Sequence, residues 1–192
     1  MLAACSSGKA ARSGATIRSE GLRRVCEQEK LECRRNARVV LRRKDGTTYD
    51  QTFDWFQPIL QGDPVWLNIL PGETIHLEME PEGNALRPRR IVTELRAPER
   101  TVTFQFSQDA KLGMLLTVNN PFSRPLKYDL FMLLLEDREE KPRSTSSCPV
   151  VPHLQVYESW PDVIFTLTVT NFRFVEEAAA HTCDAAQLRE RP

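Results

Sequence analysis

Residues 112–135 read LGMLLTVNNPFSRPLKYDLFMLLL, two apolar runs on either side of a polar turn. In the first run Met114, Leu116 and Val118 alternate with Leu115 and Thr117. In the second, Leu126, Tyr128, Leu130, Met132 and Leu134 recur at every other position. A period of two places such residues on one side of a β-strand. The turn, Asn119-Asn120-Pro121-Phe122-Ser123-Arg124-Pro125, holds two prolines, which lack the N–H a central strand needs, and two asparagines, which tolerate unusual backbone angles. A single buried helix is the competing reading, and both prolines argue against it. The opposite side of the second run, Phe131, Leu133 and Leu135, is also apolar, as in a strand buried between two layers. The stretch is therefore expected to be the central hairpin of an all-β sandwich.

The flanking sequence fits that expectation. Val39–Leu41 and Thr48–Phe53 bracket Lys44-Asp45-Gly46-Thr47, and Asp-Gly between extended runs is a hairpin signal because glycine takes positive φ without steric cost. Asp54–Asp63 reads as a loop or short helical turn, with Trp55 and Phe56 plugging an end of the core. Further strands are expected at Val65–Leu70 and at Thr74–Glu80, with Ile75, Leu77 and Met79 inward. Arg89–Arg96, Arg100–Ser107 and Val163–Phe174 follow, the last broken or bulged at Asn171-Phe172-Arg173-Phe174. This amounts to eight or nine antiparallel strands at sandwich-like spacing, preceded by a short helix capped at Ser19. The segment 142–161 contains Pro142, Pro149, Pro152 and Pro161 and is read as a long loop outside any sheet interior.

At 192 residues and 41% hydrophobic content the chain suits one domain with tails. The boundaries expected are 1–18 for the start and a flexible tether, 19–36 for a helix and loop, 37–176 for the sandwich and 177–192 for a C-terminal tail. Lys and Arg balance Asp and Glu at 26 each, but residues 1–44 hold 12 basic and 4 acidic side chains. Arg34, Arg35, Arg38, Arg42, Arg43 and Lys44 are the densest part. Two roles suit them: contact with anionic lipid, together with Arg12, Arg18, Arg23 and Arg24, or charge guarding an edge strand. The second is expected. Nucleic-acid binding wants aromatic residues interleaved with the charge, and none precedes Tyr49.

The cysteines are Cys5, Cys26, Cys33, Cys148 and Cys183. Sequence leaves three pairings open for the last four, of which 26–33 with 148–183 is preferred because Cys148 and Cys183 flank a strong strand. A helix unbroken from Cys26 to Cys33 would separate them by about 10 Å, beyond disulfide reach, so the helix has to end near Lys30 if they are bonded. His76, His153 and His181 have no metal-ligand spacing, and no nucleophile, phosphate-loop or zinc-protease motif occurs, so neither an enzyme, a cofactor nor a metal is expected. Val150, Val151, Leu154, Val156, Tyr157 and Trp160 either fold over an end of the sandwich, the expected arrangement, or form a partner surface.

Two resemblances bear on function. Val118-Asn119-Asn120-Pro121-Phe122, with Leu126 and Tyr128 after it, resembles the turns of immunoglobulin-like and late-embryogenesis-abundant β-sandwiches. Leu2-Ala3-Ala4-Cys5, followed by Ser6-Ser7-Gly8, resembles a bacterial lipobox and tether. Together with the NNPFSRPLKY turn and the segments 145–150, 158–161 and 171–174, it makes the chain similar to bacterial lipoproteins that carry no known activity. That likeness implies acylation of Cys5, an oxidising compartment for the other four cysteines, and, through Ser6, an outer-membrane location facing the periplasm. No basic n-region or apolar h-region precedes Cys5, so anchoring requires either that translation begins upstream of Met1 or that the chain has been trimmed at its start. The function expected is a lipid-anchored, non-catalytic binding or structural module of the envelope, with the membrane and an envelope protein as partners. A soluble exported carrier or enzyme, and an intracellular interaction domain with five reduced thiols, are the alternatives.

Overall fold

A computed structural model describes residues 14–137 and 141–183. Helix α1 (Gly14–Gln28) leads into the hairpin β1 (Cys33–Arg42) and β2 (Thr48–Pro58). Then come β3 (Leu60–Gln61), β4 (Trp66–Ile69), β5 (Thr74–Glu82), β6 (Ala85–Val92), β7 (Thr101–Asp109), β8 (Gly113–Asn119) and β9 (Leu126–Leu134). β10 (Arg143–Thr145), β11 (Gln155–Trp160) and β12 (Ile164–Phe174) complete the set. All pairings are antiparallel. One layer runs β10-β9-β12-β4-β3 and the other β6-β5-β7-β8-β11, and the two join as a sheet only where Arg173 pairs with Ala85.

The layers face each other across one apolar core. Val102, Phe104 and Phe106 of β7 and Ile75, Leu77 and Met79 of β5 form one wall. Tyr128 and Leu130 of β9 and Leu167 and Val169 of β12 form the other. The Phe104 ring meets Tyr128 and Phe172 edge-on, 6.1 Å away in each case, a favourable aromatic geometry.

The stretch 112–135 is two strands, as expected, but not a hairpin. β8 pairs with β7 and β11, whereas β9 pairs with β12 and β10. The turn between them crosses from one layer to the other, so their apolar sides oppose each other across the core. Asn120, fully buried, fixes that crossing. Its side-chain amide donates to the carbonyls of Arg124 and Val150 at 2.8 Å each, and its Oδ1 accepts the Phe122 N–H at 2.9 Å. Among the described residues no second layer covers the outer side of β9. Phe131 instead lies parallel to Trp66, with ring centroids 6.4 Å apart.

Other elements also differ in extent from the expectation. α1 begins at Gly14, so Ser19 lies within the helix rather than capping it, and residues 14–18 are helical rather than tether. It ends at Gln28, near Lys30 as Cys26–Cys33 requires. Residues 54–58 continue β2 rather than forming a loop, and β6 starts at Ala85, four residues earlier than expected. The predicted bulge in β12 is present as a register shift between Thr170 and Arg173. Among the described residues twelve strands replace eight or nine: β3 and β10 are too short to show a period, and β11 lies in the proline-rich segment read as a loop.

The β1–β2 hairpin closes one end of the sandwich. Tyr49, Phe53 and Phe56 surround Phe165 at 5.7–5.9 Å, and Val39 and Leu41 enter the core. Gln108 at the end of β7 exchanges two hydrogen bonds with the Arg42 backbone, at 2.7 and 2.8 Å. Both disulfides join the preferred partners: Cys26 to Cys33, with Cα atoms 6.0 Å apart, and Cys148 to Cys183. No helix among the described residues is long and apolar enough to cross a membrane.

Candidate functional site

The segment 142–161 is not a loop but the source of an edge strand in each layer. β10 pairs with β9, Val150 bridges Leu126, and β11 then crosses to pair with β8. Its four prolines stand outside both strands, as the missing N–H demands. At the β8 end of this pairing Gly113 has φ +81°, and a Cβ there would run into the Trp160 carbonyl.

The predicted surface residues separate into two groups. Val150 is completely buried, because its backbone is tied to Leu126 on both sides, so it belongs to the core rather than to a partner surface. Trp160 and Val156 pack against the core, and the Trp160 indole N–H donates to Thr145 Oγ at 3.0 Å. Val151 is half-buried. Leu154 and Tyr157 stay exposed, at 58% and 67%. They are among the most exposed large apolar side chains described.

Behind β11 lies a polar cluster that spacing alone could not assemble. The Tyr128 hydroxyl donates to Glu158 Oε1 at 3.1 Å, and the Cys148 N–H reaches the same oxygen at 3.3 Å. Lys127, buried, donates to the Ser147 carbonyl, and Ser147 Oγ donates to the Tyr128 carbonyl at 2.6 Å. Burial pushes the Glu158 carboxyl above its usual range, opposed by the Cys148 and Tyr128 donors and the Lys127 charge. Burial likewise raises Tyr128 well above the ordinary phenol range, with the Glu158 charge adding to it. The cluster ties β9, the Cys148 disulfide and β11 together.

Most of the basic run is engaged in contacts within the chain, although of its six side chains only Arg34 is buried. Arg34 is buried and pairs with Glu73 while donating to the Gln57 and Asn68 carbonyls at 3.0 and 2.5 Å. Arg35 lies over Trp55 at 4.5 Å, and Arg43 over Tyr49 at 5.7 Å. Arg38 holds Asp50 in a two-pronged pair, and Lys44 meets Asp162 at 2.5 Å. Arg38 and Arg42 share the exposed face of β1, as its alternation required.

His76 Nδ1 lies 2.9 Å from Thr103 Oγ, while His153 and His181 are exposed. Among the described residues no three His, Cys, Asp or Glu side chains converge to hold a metal ion. Cys5, Ser6, Arg12 and the tail beyond Cys183 lie outside the described residues. No protein-family model, curated protein or solved structure matches the chain.

Proposed function

We propose that the protein is a non-catalytic binding or structural module of the bacterial cell envelope, anchored by acylated Cys5 and presenting the β11 edge to a protein partner. The observation that carries the reading is the pair of disulfides at the sandwich margins. Cys26–Cys33 clips α1 to β1, and Cys148–Cys183 clips the tail beside β11. Two such clips suit an oxidising compartment and disfavour an intracellular domain with five thiols. The anchor rests on Leu2-Ala3-Ala4-Cys5, and the kinship with immunoglobulin-like lipoproteins on the NNPF turn. An outer-membrane location facing the periplasm follows from Ser6 behind Cys5. A second reading, an exported carrier or enzyme, draws on Glu158, whose ionisation is displaced. Its Oε1 already accepts from Tyr128 and Cys148, which favours a structural role for it.

Metabolic palmitate labelling of the gene expressed with its upstream DNA, beside a Cys5→Ser control, tests the anchor. Label that disappears in the control supports it, and absence of label from both sinks it. Alkylation without reductant tests the compartment. No more than one of the five cysteines is expected to react in the native protein, and five reactive thiols would restore the intracellular reading.

A further inference from the structure

Among the described strands the two layers of the sandwich have four edges, and three of them are unsuited to pairing with another chain. β3 is two residues long and β10 three. β6 carries Pro88 among Arg87, Arg89 and Arg90, and proline and repeated charge both discourage strand addition. β11 is six residues long, pairs only with β8 among the described strands, and contains no Pro, Lys or Arg. Its one charge, Glu158, is turned toward Tyr128 and Cys148. Gln155, Tyr157 and Ser159 are exposed.

We propose that this edge binds a second copy of the chain: two β11 strands pair antiparallel about a two-fold axis at Tyr157, joining two five-stranded layers into one ten-stranded sheet. The proposal deepens the reading of β11 as a partner edge and does not need the lipid anchor. Parity, charge and apolar matching together set its register: an axis at Val156 satisfies the first two but places Leu154 opposite Glu158. A two-fold axis normal to the sheet keeps outward residues opposite outward residues only if the paired residue numbers sum to an even value. An axis at Glu158 would place two carboxylates opposite each other, which is destabilising. An axis at Tyr157 places tyrosine against tyrosine, Gln155 against Ser159 and Val156 against Glu158. It also sets Leu154 opposite Trp160. Tyr157, and Leu154 one residue before β11, thus each come level with an apolar residue, with no like charges opposed. Pairing by strand addition supplies main-chain hydrogen bonds, with side chains setting the register. One six-residue strand covers less than a standard interface of about 1,600 Å², so the dimer is a weak, concentration-dependent one.

Sedimentation velocity on the full chain bearing Cys5→Ser, which removes the unpaired thiol, tests this without lipid. Reversible dimerisation is expected. Tyr157→Glu and Tyr157→Lys should each weaken it about tenfold by opposing like charges across the axis, and an equimolar mixture of the two should restore it. Tyr157→Cys should cross-link to its own counterpart on oxidation, because residues opposed in antiparallel strands lie within disulfide range. A protein that stays monomeric up to about 1 mM, a dimer that survives both charged variants, or a mixture that fails to pair overturns the proposal. Palmitate labelling is indifferent to each of these results, so failure of the dimer and failure of the anchor are told apart.

Discussion

Asn120 and Glu158 show how much of this structure depends on single polar side chains. Asn120 satisfies two carbonyls and one N–H at the crossing between layers, where water does not reach. Replacing it with alanine leaves those groups unpaired, so Asn120→Ala should cost about 2–4 kcal/mol in urea denaturation. Asn120→Asp should also destabilise, since it loses both donors. Glu158 makes a prediction of a different kind. Its folded carboxyl binds a proton more readily than the unfolded chain does, chiefly because of burial. Between the ordinary glutamate range and the raised value, the native state therefore holds more protons, and stability falls as pH rises through that window. Glu158→Gln should remove that part of the slope and raise the melting temperature at neutral pH. An unchanged slope would exclude Glu158 as its source. Asp50, held below its usual range by the Arg38 hydrogen bond, acts in the opposite sense, losing its contribution as pH falls through its lowered value. Sequence marked Asn120 as a turn former but gave no sign of its burial. It placed Glu158 in a loop because of the surrounding prolines, and it could not show the contact with Tyr128, 30 positions away and in the other layer.

Among the elements, β11 is the least legible in sequence, and together with the Cys148–Cys183 clip, whose pairing sequence did favour, it is the most consequential. The disulfide closes a span of 35 residues around β11 and β12. Replacing both cysteines with serine should cost about 2–4 kcal/mol in the chain-entropy picture. Hydrogen exchange should rise first in residues 175–183 and around Ser147, while the β7–β8 pairing stays protected. Equal loss of protection throughout would mean that the clip holds the entire sandwich rather than its margin. The strand pattern of β5, β7 and β9 was legible because each alternates over seven or more residues with one face in the core. β10 and β11 were not, because an edge strand has fewer buried positions to mark a period and four nearby prolines point to loop. The crossing of 112–135 was hidden for a different reason. Two strands with apolar sides satisfy the same alternation whether they lie side by side in one layer or face each other across the core. What decides between them is which edges β7 and β11 occupy on β8, and that is information held by other parts of the chain.

For the molecule as a whole, the all-β class followed from alternation and punctuation together, but the way the ends are closed did not. The NNPFSRP crossing closes one end of the sandwich, and the β1–β2 hairpin closes the other around Phe165. The hairpin carries α1 and the Cys26–Cys33 clip, so it is either a dispensable cap or part of one cooperative unit. Its contacts argue for the second. Val39, Leu41 and Phe56 belong to the same buried cluster as Phe104 and Tyr128, Arg34 is buried against Glu73 at the start of β5, and Gln108 binds the Arg42 backbone. Phe165→Ala removes the ring that Tyr49, Phe53 and Phe56 share. The expected cost is about 3 kcal/mol, near the lower end for deleting a core phenylalanine because Phe165 is only half-buried. For a chain of this length that lowers the melting temperature by about 6–12 °C. Because the hairpin and the sandwich share one core, calorimetry of the variant should still show a single transition, with protease susceptibility rising in β1, β2 and the sandwich together. Two transitions, with β1–β2 cleaved first while β5–β9 persist, would show instead that the hairpin folds as a separate cap and that Phe165 is its hinge to the rest.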